Sequence, residues 1–168
     1  MYRDPYAAAR DGDIEYLTEL VENQGYNVNS CKWSGWTLLH RAAEQGHTQI
    51  CEMLVDNGAK LNLKTTWGWH TATHLAIGNG WKETATFLIE AGADGNIKNK
   101  DGHTPSEYAH VKGYRDLARY FNGIVERIKE AKEAALKHRR MKERAALNEE
   151  KQKKLDEINA ENNAIAAN

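Results

Sequence analysis

The side chains best suited to chemistry in this chain are His70 and His74, which stand four residues apart in the segment HTATH. Two histidines at this spacing share one face of a helix, as they do in zinc-binding helices. The general-base glutamate of such helices is missing because Thr71 follows His70, and a zinc site needs a third and a fourth ligand. We therefore predict no metal site, no cofactor and no catalytic residue.

The other chemical signals are weaker. Cys31 and Cys51 are the only cysteines, and two thiols in 168 residues do not make a disulfide framework, which favours a reducing intracellular compartment. Cys51 lies in an apolar helical pattern and is predicted to be core. The sequence contains no phosphate-binding loop, dinucleotide-binding turn or nucleophile elbow. These observations predict a non-enzymatic protein.

Charge and hydropathy narrow the possible partners. The formal net charge of -1 gives no general reason to expect nucleic-acid binding. No apolar run approaches the ~20 residues that span a bilayer, and the N-terminal segment lacks the apolar core of a secretory signal. We expect a cytoplasmic protein that does not contact membranes.

Glycines recur at a fixed interval along the chain and mark the ends of the elements that carry the side chains described above. Gly12, Gly46, Gly80 and Gly113 are separated by 34, 34 and 33 residues. A constant period near 33 is typical of a solenoid, in which each unit buries its apolar face against its neighbours. In the clearest unit, residues 35–62, Thr37 caps an apolar helix that ends at Gly46. A second apolar helix follows and ends at Gly58.

At these positions the chain resembles the ankyrin repeat family, whose motif is G-x-T-P-L-H-x-A-A-x-x-G-H followed by an apolar helix and L-L-x-x-G-A-D-x-N. Leu38 and Ala72 replace the motif proline, and Glu107 replaces the motif histidine. The matching residues are Gly35, Thr37, Leu39, His40, Ala42, Ala43, Gly46 and His47; Thr71, His74, Ala76, Gly80, Gly92, Ala93, Asp94 and Asn96; and Gly102, Thr104, Pro105, Ala109 and Gly113.

The resemblance implies an all-α solenoid in which each unit has two antiparallel helices followed by a hairpin-like finger. We expect an ankyrin repeat domain over residues 1–122, with units at about 4–33, 34–66, 67–100 and 101–122. The first unit lacks the Thr-Pro signature and opens instead at Asp4-Pro5. The outer two units are therefore atypical, as capping units are.

Four of the five tryptophans fall in the fingers: Trp33, Trp36, Trp67 and Trp69. One interpretation is that their rings pack against adjacent fingers and seal the solenoid. The other is that they contact a partner, because tryptophan is enriched in binding hot spots and is costly to leave in water. We favour partner contact for at least one pair.

Residues 123–168 are predicted to form a long charged helix, because no glycine or proline follows Gly123 and Ala, Glu, Lys and Arg are strong helix formers. Val125, Leu136, Leu147 and Ile158 recur every 11 residues, which keeps a narrow apolar stripe on one face. The helix is either a solvated, frayed element or one that docks on a partner or a coiled-coil mate. We favour docking along the stripe.

The sequence as a whole predicts a protein–protein interaction module: an adaptor or structural subunit of a larger assembly. A scaffold of the cytoskeleton or cilium fits by analogy. The alternative is a regulatory protein that associates with nucleic acid or chromatin through the basic helical segment 137–144.

Overall fold

The computed structural model describes residues 3–166, with the backbone alone at residues 161 and 163–166. The predicted tail extends to residue 168, so its last two residues lie outside this range. Helices and turns make up residues 3–166, with no strand in that range. The helices are α1 Pro5–Asp11, α2 Ile14–Thr18 with a π-helical turn Glu19–Asn23, α3 Leu38–Gln45, α4 Thr48–Asp56, α5 Ala72–Gly78, α6 Lys82–Glu90, α7 Pro105–Val111 and α8 Arg115–Ala166.

The chain divides into two compact units, Met1–Glu126 and Arg127–Asn168. In the first unit, α1, α3, α5 and α7 pack in sequence as inner helices, while α2, α4 and α6 form an outer row. Small side chains such as Ala42 and Ala76 are fully buried and let the inner helices approach closely. The predicted all-α solenoid is confirmed.

A repeated capping box joins the second unit to the third and the third unit to the fourth. The hydroxyl of Thr37 accepts a hydrogen bond from the His40 amide, while His40 Nδ1 accepts one from the Thr37 amide at 3.2 Å. This arrangement leaves the proton of the neutral ring on Nε2, which lies 3.0 Å from the Leu63 carbonyl and 3.2 Å from the His70 carbonyl. The neutral tautomer of His40 therefore links its own helix start to the base of the next unit.

His74 repeats this arrangement with Thr71, and its Nε2 lies 3.1 Å from the His103 carbonyl. In the fourth unit Glu107 completes the box with Thr104, and its carboxylate accepts the Thr104 amide at 2.7 Å. A carboxylate has no proton to donate to a following unit. The substitution at Glu107 thus gives the last unit an intact cap without the forward link.

The long helix begins at Arg115, earlier than the predicted start after Gly123. The second helix of the fourth unit and the charged tail are therefore one continuous helix. A single glycine inside a helix costs only about 1 kcal/mol relative to alanine. Phe121 and Ile124, which flank Gly123, are both buried, and their packing offsets that cost.

The buried histidines predict acid-sensitive folding. Burial lowers the pKa of His40 and of His74 to about 4, whereas unfolded histidine titrates near 6.5. The unfolded chain therefore gains these protons first, and stability is lost as the pH falls from 6.5 towards 4. We expect urea denaturation to show a loss of about 2 kcal/mol per histidine between pH 7 and pH 5.

The matched control is the double variant His40→Gln, His74→Gln. It should be less stable than the natural chain at pH 7 but should show a shallower loss between pH 7 and pH 5. If the two proteins lose the same free energy of unfolding between pH 7 and pH 5, the acid sensitivity does not come from these histidines.

Candidate functional site

The first finger, residues 27–36, presents a tryptophan at the corner of a tight turn. The Lys32 amide donates to the Trp36 carbonyl at 3.1 Å, and the Gly35 amide donates to the Lys32 carbonyl at 2.8 Å. Gly35 adopts φ 72°, a conformation that glycine takes without strain. Trp33 lies between these bonded residues and is 87% exposed. The turn therefore holds the backbone in place while the indole projects into solvent.

The second finger, residues 61–70, carries two more tryptophans. The Thr65 amide donates to the His70 carbonyl at 2.9 Å. The buried Thr65 hydroxyl donates to the Trp67 carbonyl and accepts from the His70 amide, each at 3.1 Å. Trp67 is 69% exposed and Trp69 is 50% exposed. A hydrogen-bonded base thus supports a tip that exposes both rings.

The backbone at Trp69 is strained. Its φ is 54°, the left-handed region, and it is the one non-glycine residue with positive φ within residues 3–166. This conformation costs roughly 1–2 kcal/mol for a residue with a Cβ. Strain of this kind persists only where surrounding contacts enforce it, and it concentrates at functional positions. The geometry of this tip is therefore imposed by its hydrogen bonds.

Backbone hydrogen bonds connect the fingers to one another. The Thr66 amide donates to the Ser34 carbonyl at 2.9 Å, which ties the second finger to the first. The Lys100 amide donates to the Gly68 carbonyl at 2.9 Å, which ties the third finger, residues 94–103, to the second. The exposed tryptophans therefore belong to one continuous surface, which we call the finger surface.

Cations accompany two of the finger tryptophans. The guanidinium of Arg41 lies 4.1 Å from the ring centre of Trp36, and the Lys64 ammonium lies 5.7 Å from that of Trp69. Trp36 is half-buried and also faces the His40 ring at 5.9 Å. Of the four predicted tryptophans, Trp36 is thus the one used most within the solenoid. Sequence reasoning missed both cations, because the spacing of Arg41 and Lys64 from their rings does not by itself bring them together.

The fifth tryptophan has a structural role. Trp81 Nε1 donates to the Glu44 carbonyl at 2.9 Å, and its ring lies so close to Gly46 that no Cβ would fit there. The ring therefore fills the turn between α3 and α4. Trp81 thus contributes to packing between neighbouring units.

The two histidines of HTATH lie with their rings 5.7 Å apart, and the Tyr108 ring is 4.8 Å from His70. Both ring nitrogens of His74 are engaged by Thr71 and by the His103 carbonyl. Burial lowers the pKa of His70 as well. Among the residues that the structure describes, no three His, Cys, Asp or Glu side chains are close enough together to hold a metal ion.

The two cysteines differ in environment. Cys51 is buried, as predicted, and burial raises the pKa of its thiol to about 12, so the thiolate is not formed near neutral pH. Cys31 is exposed on the first finger. Both thiols are free, and among the described residues neither belongs to a group of His, Cys, Asp or Glu side chains that could hold a metal ion.

The predicted stripe of α8 is divided between two environments. Val125 is half-buried, and its methyl groups pack against Gly95 and leave no space there for a Cβ. Leu136, Leu147 and Ile158 are about half exposed in the compact unit Arg127–Asn168. Val125 therefore serves packing within the compact unit Met1–Glu126, whereas the other three apolar side chains remain open to contact.

Helix pairs joined by short turns, stacked through repeated capping boxes and carrying projecting fingers, define an α-solenoid of short repeats. Comparison with protein families agrees: the family described as ankyrin repeats (3 copies) matches residues 5–65, and that described as ankyrin repeat matches residues 69–100. The chain belongs to the ankyrin repeat family. No curated protein matches this chain.

Ankyrin repeats are protein–protein interaction modules, and their fold is a non-catalytic one. The fourth unit, α7 with the start of α8, lies beyond the matched ranges and is assigned by the structure. Its Ser106 hydroxyl donates to the Ala118 carbonyl at 2.9 Å and joins the two helices. Within residues 3–166, no helix is long and apolar enough to cross a bilayer.

The strain at Trp69 predicts that a glycine variant is more stable than an alanine variant, the reverse of the usual order. Trp69→Gly should be more stable than Trp69→Ala by about 1 kcal/mol, because both lose the ring but only alanine keeps a Cβ in the left-handed region. Urea denaturation measures the difference. At Trp67, whose φ is not positive, the glycine variant should be the less stable of the two. An alanine variant at least as stable as glycine at position 69 would contradict the strain.

Proposed function

We propose that this protein is a non-enzymatic adaptor or structural subunit. It binds a partner protein through the finger surface, and the apolar stripe of α8 forms a second contact with a partner. The single observation that carries the proposal is the 87% exposure of Trp33 on a hydrogen-bonded turn. An indole in this setting keeps a large apolar area in water and gains most by burial against a partner.

Rigidity makes the finger surface suited to binding. Trp33, Trp67 and Trp69 project from turns whose backbone is already fixed by hydrogen bonds within and between fingers. A preorganised surface loses little conformational entropy on association. Tryptophan side chains also dominate the energy of many interfaces. These three residues are the anchors that we propose, with Trp36 and Arg41 as a supporting pair beside them.

The open part of the stripe is the second contact. Leu136, Leu147 and Ile158 each keep about half of their surface exposed on a helix rich in charged residues. Long polar helices gain most of their stability from tertiary contacts along an apolar face. Two contacts on one chain raise the effective concentration at the second site once the first is bound. This is the behaviour of a subunit of a larger assembly, and a cytoplasmic, cytoskeletal or ciliary scaffold remains an analogy.

The alternative function, association with nucleic acid or chromatin, has one observation in its favour. Residues 137–144 are exposed throughout and carry five basic side chains against one glutamate. If this segment binds duplex DNA, the affinity must fall steeply with salt because counterions are released. A titration of labelled duplex at several salt concentrations tests this function directly.

The main test compares proteins captured from the native source by the full chain and by Trp33→Ser, Trp67→Ser, Trp69→Ser. We expect at least one protein captured by the natural chain to be lost by the triple variant. That captured protein, once purified, should bind the natural chain at least ~10-fold more tightly than it binds the triple variant, since a hot-spot residue contributes about 2 kcal/mol or more.

Two controls make this comparison specific. Val111→Ser removes another exposed apolar side chain, outside the fingers, and should capture the same proteins as the natural chain. Leu136→Ala, Leu147→Ala, Ile158→Ala keeps helix propensity but removes the stripe, and should weaken a second contact. Equal capture by all of these proteins would refute the proposal.

A further inference from the structure

The outer row of helices carries a strongly acidic surface. Seven carboxylates and one lysine lie on Ile14–Asn23, Thr48–Asp56 and Lys82–Glu90, a net charge of -6. All seven carboxylate residues are exposed, and none forms an ion pair with a described cationic side chain. The residues of this acidic outer face are Glu15, Glu19, Glu22, Glu52, Asp56, Glu83 and Glu90.

The acidic outer face is continuous. Its helices contact one another in order, α2 with α4 and α4 with α6. The hydroxyl oxygens of Thr48 and Thr84 lie 2.7 Å apart and join α4 to α6 directly. Seven like charges on one packed surface repel each other, and binding of a basic surface relieves that repulsion.

A groove lies between α4, α6 and the start of α8 on this face. It has a volume of about 440 Å³, and its lining includes Glu52 from α4, Lys82, Glu83, Phe87 and Glu90 from α6, and Tyr120 from the start of α8. The Lys82 ammonium lies 3.8 Å from the ring centre of Tyr120. The Tyr120 ring is thus occupied by the cation of Lys82, and the three carboxylates of the lining outnumber that one cation, so the groove keeps a net negative charge.

One face of α8 has the complementary chemistry. Lys137, Arg140, Met141 and Arg144 stand at i, i+3, i+4 and i+7, which places them on one side of the helix. Met141 is 71% exposed. A thioether makes favourable contacts with aromatic rings, and three cations surround it here. We call these four residues the basic tail face.

We propose that the groove of the acidic outer face binds the basic tail face of a second copy of this chain. Glu83 and Glu90 are seven residues apart on α6, as are Lys137 and Arg144 on α8, so both pairs span about 10 Å along their helices. A helix lying beside α6 therefore brings both cations to carboxylates at once. Met141 then lies between them, over Phe87, because the Lys82 ammonium already covers the Tyr120 ring.

A second copy is the occupant that the chain itself supplies. Every copy carries one acidic outer face and one basic tail face, so copies of this chain associate through this contact without any other molecule. The proposal shares with the proposed function the use of α8 as a contact element. It does not involve the finger tryptophans.

The test is sedimentation velocity of the full chain at low and high salt, with a charge-swap pair of variants. The face variant is Glu52→Lys, Glu83→Lys, Glu90→Lys, and the tail variant is Lys137→Glu, Arg140→Glu, Arg144→Glu. We expect the natural chain to associate at low salt and to dissociate at high salt, because such contacts are screened. Each variant alone should be monomeric, and their equimolar mixture should associate again.

Restored association in the mixture excludes simple misfolding as the cause of the loss. A natural chain that stays monomeric at low salt overturns the proposal, and so does a mixture that fails to associate when circular dichroism shows both variants folded. Trp33→Ser, Trp67→Ser, Trp69→Ser should self-associate like the natural chain. Loss of captured partners by that tryptophan variant, with self-association kept, separates the two proposals.

Discussion

The neutral imidazole at the start of two inner helices is the interaction on which the solenoid depends. In His40 and His74, Nδ1 closes the cap of its own helix while Nε2 points to carbonyls of the finger that follows, residues 61–70 for His40 and 94–103 for His74. One buried ring therefore sets both the local helix start and the stacking of units. The carbonyl of His70 ends the second finger, so the same bond also fixes the base from which Trp67 and Trp69 project. Glu107 keeps the cap but lacks the donor, and the series of forward links ends there.

This division of labour separates the surfaces of the protein. Inner helices with buried alanines hold the stack, and the fingers carry the exposed indoles of Trp33, Trp67 and Trp69. The outer helices carry unpaired carboxylates, because their charged positions all face solvent. Each surface thus has its own chemistry: aromatic at the fingers and acidic on the outer helices. A solenoid permits this separation because each unit contacts only its neighbours, and surface substitutions then leave the stacking unaffected.

The helix α8 is partly buried at its start and largely exposed from there to residue 160. Its first turns complete the fourth unit, where Phe121 and Ile124 are buried. From residue 127 to residue 160 its side chains are largely exposed, and ion pairs such as Arg139 with Glu143 at 2.8 Å contribute little by themselves. This part of the helix is rich in strong helix formers and keeps Leu136, Leu147 and Met141 partly exposed.

The sequence by itself determined the repeat, because glycine in the left-handed region and, from the second unit onward, a threonine cap are local requirements that recur. It also located the four finger tryptophans and the stripe of α8. Only the tertiary structure decided which of them are exposed: Trp33 projects, Trp36 stacks on Arg41, and Val125 packs on Gly95. The start of α8 at Arg115 was likewise a tertiary outcome, since burial around Gly123 outweighed its low helix propensity. Spacing along the chain specifies caps and turns, whereas exposure depends on contacts between residues far apart in sequence, which no local pattern encodes.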